Sequence, residues 1–322
     1  MPAPSSALGT LRPDLGGSLM EYNIAADLAG FIGHRIYPVI EVAKQAGSFG
    51  KIPIEELLKR RTTLRGMNGS YNRGNWKFQP ETYATVEHGL EEVVDAREAE
   101  MYAEYFDAEL VATQIAFDGV LREAEIDIAN HLFSETTYTA TSVTNEWDDN
   151  TNATPIADVN ARVQSIWEAT GIWPNAIVFN RTVMRNLREV DEVIAKIHSS
   201  GAGESVLPGR ITIAQLAQAF DLPHVLVADL PYNTANEGQD ASISPIWSNE
   251  YAWVGRIGET SNFKEPCVGR TFHWGEDGSK IGGMVESYDE KNVRGTMIRV
   301  RQDVHVKDLY LATGELLSNI TT

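Results

Sequence analysis

The chain has one cysteine, Cys267, in 322 residues. A lone thiol cannot close an internal disulfide, so the fold stands without covalent staples and suits a reducing compartment. No apolar stretch approaches the roughly 20 residues needed to span a bilayer as a helix. Positive charge is scarce as well: 27 Lys and Arg stand against 45 Asp and Glu, a net charge of −18. Nucleic-acid binding draws on cations that displace counterions from phosphates, and this chain on average repels phosphates. The sign argues against a dedicated polynucleotide-binding module and equally against an anionic membrane surface. The opening "MPAPSSALGTLRPDLGG" lacks a basic stretch followed by an apolar one, so no secretory leader is expected and it reads as an extended arm. The sequons at Asn68, Asn152, Asn180 and Asn319 are then chance matches.

Signatures of chemistry are equally sparse. There is no H-E-x-x-H, C-x-x-C, G-x-S-x-G or G-x-x-x-x-G-K-[ST]. The seven histidines are scattered, none paired at i, i+2 or i, i+4 as metal ligands often are. Gly201-Ala202-Gly203 has neither the preceding strand nor the third glycine of a dinucleotide loop. Asp148 begins a calcium-like "DDNTNA", but Ala153 stands where the turn glycine belongs and Val159 where the bidentate Glu belongs. The abundant carboxylates could supply an acid–base pair, yet nothing selects one. No catalytic residue, metal or cofactor is assigned, and no enzymatic activity is expected.

What the chain does have is a sharp change of character from segment to segment. After the arm, an apolar stretch runs to about Val42, and then Asn68-Gly69 and Gly74 signal the tip of a loop. The Trp76/Phe78 and Tyr83/Val86 spacings are strand-like, which predicts a long hairpin projecting from the body. From Ala99 to Phe133 the one Gly or Pro is Gly119, and Phe106, Leu110, Phe117, Leu121, Ala124, Ile128 and Leu132 recur at helical spacing. One helix of about 30 residues is predicted, roughly 45 Å long, a spine for something flat. The polar stretch 134–155 marks a boundary. A compact α/β block follows: a helix starting at Thr154 or Asp158, a strand at Ile177–Phe179, helices near 181–197 and 211–220, and strands at 224–230 and 244–257. Beyond Thr271 the alternation predicts antiparallel strands with a turn at 292–295. The strand-to-helix turn in "PNAIVFNRTVMRNL" invites an active-site reading, because such turns expose N–H groups at a helix dipole. Asn180 is, however, the residue type that caps a helix, and the turn reads as a cap.

Charge is spread unevenly. Residues 44–77 carry eight basic side chains against Glu55 and Glu56, and residues 81–110 carry ten acidic ones against Arg97 alone. Two solvated faces would account for this. The sharper expectation places Arg60, Arg61 and Arg65 of one copy against Glu91, Glu92, Asp95 and Glu98 of a neighbour, with Trp76 and Phe78 as apolar contacts. Complementary patches of this kind steer encounter and fix register more than they add affinity.

Arm, hairpin, spine and α/β block in that order resemble the major capsid proteins of tailed bacteriophages, the family with the Hong Kong 97 capsid fold. "FQPETYATVEHGLEEVVDAREAEMYAEYFDAELVATQIAFDGVLREAEIDIANHLF" is similar to that family's passage from extended loop (E-loop) into spine helix. "PNAIVFNRTVMRNLREVDEVIAKI" and "ITIAQLAQAFDLPHVLVADLPYNTANEG" are similar to strand–helix units of its axial domain. The resemblance implies an α+β fold in five parts: N-terminal arm 1–50, E-loop hairpin 51–95, peripheral domain with spine helix 96–153, inserted axial domain 154–262, and returning peripheral strands 263–322.

It also implies a function: self-assembly as pentamers and hexamers into the icosahedral head shell around packaged double-stranded DNA, touched weakly and without sequence preference. The implied location is the virion, after assembly in the host bacterial cytoplasm. The implied partners are many copies of the chain, a portal protein and a scaffolding protein. The scaffold is expected as a separate chain, since the 50 residues before the E-loop leave no room for a fused one. A decoration protein is left open, and no motif for a Lys–Asn crosslink aligns. Two alternatives stand beside this: a cellular encapsulin compartment of the same fold, and an acidic α/β hydrolase working through carboxylates.

Overall fold

The computed structural model describes residues 10–11, 30–75, 77–103, 107–199, 211–236, 238–260, 262, 265–275, 283–292 and 294–322. In chain order the first part forms β1 (Thr10–Leu11), α1 (Gly33–Ile36), β2 (Val39–Glu41), β3 (Ala46–Lys51), α2 (Ile54–Leu58), β4 (Gln79–Ala84), β5 (Val86–Asp95), α3 (Ala96–Tyr102) and α4 (Ala108–Leu132). Then come β6 (Thr141–Ser142), α5 (Pro155–Thr170), β7 (Ala176–Asn180), α6 (Arg181–Leu187), α7 (Asp191–Ser199), α8 (Ile213–Phe220) and β8 (His224–Ala228). The remainder is β9 (Pro231–Asn233), β10 (Ile243–Pro245), β11 (Ala252–Gly255), β12 (Gly269–His273), β13 (Met284–Glu290), β14 (Gly295–Asp308) and β15 (Gly314–Ser318).

The projecting hairpin forms, but with different limits from those expected. β3 and β4 pair antiparallel from Ala46–Ala84 to Lys51–Gln79. Thr85, buried and bonded through its N–H to Gln45 O at 2.9 Å, is where the chain leaves this ribbon. β5 then pairs with β14 along its whole length, Val86 opposite Val304 and Asp95 opposite Gly295. The hairpin proper therefore spans 46–84, and residues 86–95 belong to the main sheet.

That main sheet has six strands. β14 is its axis, flanked by β5 on one edge and by β13 and β12 in succession on the other; β1 and β2 extend those two. α4 lies across one face, packing Phe117, Val120 and Leu121 on Val94, Val285, Ile298 and Val300. The predicted single helix from Ala99 to Phe133 is instead two, with residues 104–106 outside the described set. The reason is local. The Asp107 carboxylate accepts from Glu109 N–H at 3.0 Å and Leu110 N–H at 3.3 Å, ending the run by capping a fresh helix.

The second sheet runs β6-β15-β11-β7-β8. One face packs on α5 to α8 through a core that includes Trp147, Ile166, Phe179, Leu187 and Phe220. The other face joins the first body: Val178, Leu226 and Trp253 share a core with Ile36, Tyr37, Ile128 and Leu132. Two expectations are corrected here. The stretch 244–257 is two short strands, β10 and β11, rather than one. The last strand does not return to the first sheet; β15 pairs with β11 in the second. Gly255 and Gly314 face each other in that ladder, and a Cβ on Gly314 would meet the Trp253 ring at 2.6 Å. The Trp253 indole thus fills the space that two side chains would have claimed.

Candidate assembly interface

The hairpin is tied down at its base. Tyr310 Oη donates to Ile52 O at 2.9 Å, Lys51 Nζ donates to Leu309 O, and the Leu58 side chain lies against Gly171 of the second body. From Lys59 outward the loop has no regular structure and bonds to itself. Asn72 Nδ2 donates to Thr62 O at 2.9 Å, and Arg65 Nε to Gly69 O at 2.7 Å with its guanidinium 4.5 Å from the Tyr71 ring centre. Asn68 takes φ 61° at the tip, as the Asn-Gly pair suggested. Leu64, Met67 and Phe78 are 85%, 101% and 64% exposed. These are large apolar side chains standing in water on a basic loop.

Each expected contact residue has a definite place. Arg60 is exposed and has no partner among the described residues. Arg61 reaches Glu56 at 3.4 Å and Asn75 O at 3.3 Å. Glu91 accepts from Arg299 Nε at 2.6 Å and Tyr288 Oη at 3.2 Å. Glu92 sits on β5 opposite Ile298, and Asp95 caps α3 through Arg97 N–H at 2.7 Å. Glu98 lies on α3, and Trp76 is outside the described residues. Among the described residues no ion pair joins the arginine set to the acidic set within one chain. The strand holding Glu91 and Glu92 lies at the edge of the main sheet, paired among the described residues with β14 alone. Glu91 and Asp95 are partly satisfied already, which lowers what a neighbour's guanidinium gains there.

Sequence reasoning missed the joint between the two bodies. Glu125, 3% exposed on α4, accepts from Ile32 N–H at 3.1 Å, Gly33 N–H at 2.8 Å and Trp247 Nε1–H at 2.8 Å. One carboxylate thereby holds the segment after the arm, the spine and the α/β block. Burial raises its pKa above the ordinary range, while the three donors pull it back. The signal was present: Glu125 falls in the apolar stripe between Leu121 and Ile128, where a charge is costly unless bonded. Close by, Asp308 accepts from Tyr37 Oη at 2.7 Å and sits 3.2 Å from His131 Nδ1. The hydrogen bond to Asp308 raises the His131 pKa, against the opposing effect of burial.

The turn at Asn180 behaves as a cap: its Oδ1 accepts from Val183 N–H at 3.0 Å and its Nδ2 donates to Trp247 O at 3.1 Å. Both ends of the amide are thus spent on structure. Among the described residues no group of three or more His, Cys, Asp or Glu is placed to hold a metal ion. None of the described helices is long and apolar enough to cross a membrane.

No family model matches the chain. It is 23% identical over 288 residues to a major capsid protein of Pseudomonas phage JBD67, covering 87% of this chain and 88% of that one. It is 24% identical over 257 residues to a major capsid protein of Burkholderia phage BcepMu, covering 76% and 78%. Among solved structures, a phage-related protein from Bordetella bronchiseptica RB50 matches with a TM-score of 0.70 over 97% of this chain and 98% of its own, at 18% identity. The capsid structure of the cyanophage P-SCSP1u matches at 0.55, over 88% and 86%, at 9% identity. The α+β architecture is the fold of phage capsid proteins.

Proposed function

We propose that this chain is the major capsid protein of a tailed phage, a structural protein and not an enzyme, which assembles in many copies into the head shell of the virion. One observation carries the reading: similarity to two major capsid proteins runs along most of both chains, over a fold that phage capsids share. The encapsulin alternative has the same fold, but the sequence relatives are phage capsid proteins. The hydrolase alternative finds no site among the described residues, and the turn that suggested one is a cap.

The finer reading follows from the surfaces. Pentamers and hexamers form when the hairpin of one copy, through Arg60, Arg61, Arg65 and Phe78, lies on Glu91, Glu92, Asp95 and Glu98 of the next. We assign the residues before the hairpin, 1–45, to an arm, the spine and six-stranded sheet to a peripheral domain, and the α5–β11 block to an axial domain. A separate scaffolding protein and a portal protein complete the head, in the host bacterial cytoplasm. A net charge of −18 suits a wall around packaged DNA that touches it weakly.

Electron microscopy of the purified chain, alone and with its scaffold, tests the reading. Closed shells are expected, and only monomers or dimers under every condition would overturn it. Reversing Arg60, Arg61 and Arg65 to Glu should block assembly without loss of helical signal. Changing Glu91, Glu92 and Asp95 to Lys in that background should restore part of it. Normal assembly of the triple reversal would leave the apolar contacts alone to hold the shell.

A further inference from the structure

A groove of about 800 Å³ opens between α1 and the α6–β8 face of the second body, and four arginines line it: Arg35, Arg181, Arg185 and Arg188. In a chain with 27 basic side chains against 45 acidic ones this is a concentrated exception. Arg181, Arg185 and Arg188 follow one another at i, i+4 and i+7, which puts them on one side of α6 and its C-terminal cap. Asp229 is the one carboxylate among the described residues lining the groove, and it is paired with Arg181. Arg35 and Arg185 are exposed with no ion-pair partner among the described residues, and Arg188 Nε is buried with no hydrogen bond. Between the guanidinium groups the floor is aliphatic, formed by Ile32, Met184, Ile213 and Val225; Ile213 is 47% exposed.

The lining decides between two kinds of anion. A nucleic-acid strand needs aromatic platforms for its bases along a basic track, and none of the described residues lining this groove is aromatic. A polyanion would also work against the field of the whole chain. Carboxylates on a peptide meet neither obstacle: each can take a guanidinium fork, and an aliphatic neighbour can cover the floor. We propose that the groove docks an acidic, amphipathic peptide segment of a partner protein, its carboxylates one helical turn apart on Arg35, Arg185 and Arg188 and an aliphatic side chain on Ile213. The site is separate from the hairpin contact and stands whether or not that contact builds the shell.

Fluorescence anisotropy on the purified full chain tests this with a labelled helical peptide of about 14 residues, carrying Glu at i, i+4 and i+7 with Leu between them. Binding should be lost when the same peptide carries Gln for Glu. The variant R35E/R185E should weaken it about tenfold or more at an unchanged melting temperature. Arg185→Gln, a milder change at an exposed position, should weaken it several-fold if the double reversal disturbs the fold. Ile213→Ser should weaken it without altering its salt dependence, because the floor contact is apolar. Equal binding of the Glu and Gln peptides, or indifference to the arginine variants, overturns the proposal. So does a DNA duplex of about 20 base pairs bound more tightly than the peptide with the same arginine dependence, which would make the groove a phosphate track.

Discussion

At the scale of single residues, the groups that matter most are buried polar ones with no catalytic task. Glu125 binds three N–H donors, two from adjacent residues and one from the α/β block, and so joins three parts of the chain. Glu125→Ala leaves those donors unpaired, at about 1–3 kcal/mol each unless water enters. A loss of roughly 3 kcal/mol or more in denaturant titration is expected; an unchanged midpoint would refute the clamp. Its pKa is raised above the ordinary value of 4.5 by burial. The folded state therefore holds this proton longer than the unfolded chain, and the group costs stability as pH rises from 4.5 through the folded value. Glu125→Gln should remove that slope. His131 works with the same sign in a higher pH window. Its pKa is raised above 6.5 by the bond to Asp308, so its contribution is full below 6.5 and lost as pH rises through the folded value. Asp308→Asn can still accept from Tyr37 but holds no charge. Melting temperatures between pH 6 and 8 should then flatten relative to the unaltered chain.

Among the elements, the hairpin and the spine separate assembly from folding. The hairpin's outer loop bonds to itself, and its base is held to the body through Tyr310 and Ile52. Replacing residues 60–75 by an Asn-Gly turn should therefore leave the melting of the body within about 0.5 kcal/mol of its original value. Sedimentation should nevertheless show no shells. If the shortened chain still assembles, the hairpin is not the connecting element. The spine responds the other way. Asp107→Ala removes the cap of α4 and should cost about 1 kcal/mol, read as a lower denaturant midpoint, with assembly retained.

For the whole molecule, the arrangement of patches matters more than the strength of any one. The arginine loop and the acidic strand–helix pair are different surfaces of one chain, so the contact proposed between them would be heterologous and would generate rings where the rotation closes. Exposed ion pairs each contribute well under ~1 kcal/mol, and salt screens them within about 10 Å at 0.1 M. Assembly followed by light scattering should accordingly slow as salt rises, while the melting temperature of the unassembled chain barely moves. A rate indifferent to salt would assign the contact to Leu64, Met67 and Phe78. The net charge of −18 acts here too, as repulsion that every contact in a shell must offset.

What the sequence determined alone is what neighbours along the chain decide. Helical spacing from Leu110 to Leu132, the Asn180 cap, the Asn68-Gly69 tip and the buried strand 176–180 were legible because the forces behind them act within a few residues. The arm expected at the start lies largely outside the described residues. Strand pairing was not legible. That β5 leaves the hairpin for β14, and that β15 closes the second sheet, depends on partners far away in the chain, and register carries no local mark beyond its alternation. The Glu125 joint links residues 93 and 122 positions apart. The groove sets Arg35 beside the arginines of α6 and its cap across a still wider gap. Only the tertiary structure could bring those groups together, because folding trades chain entropy for contacts between segments that sequence proximity never joins.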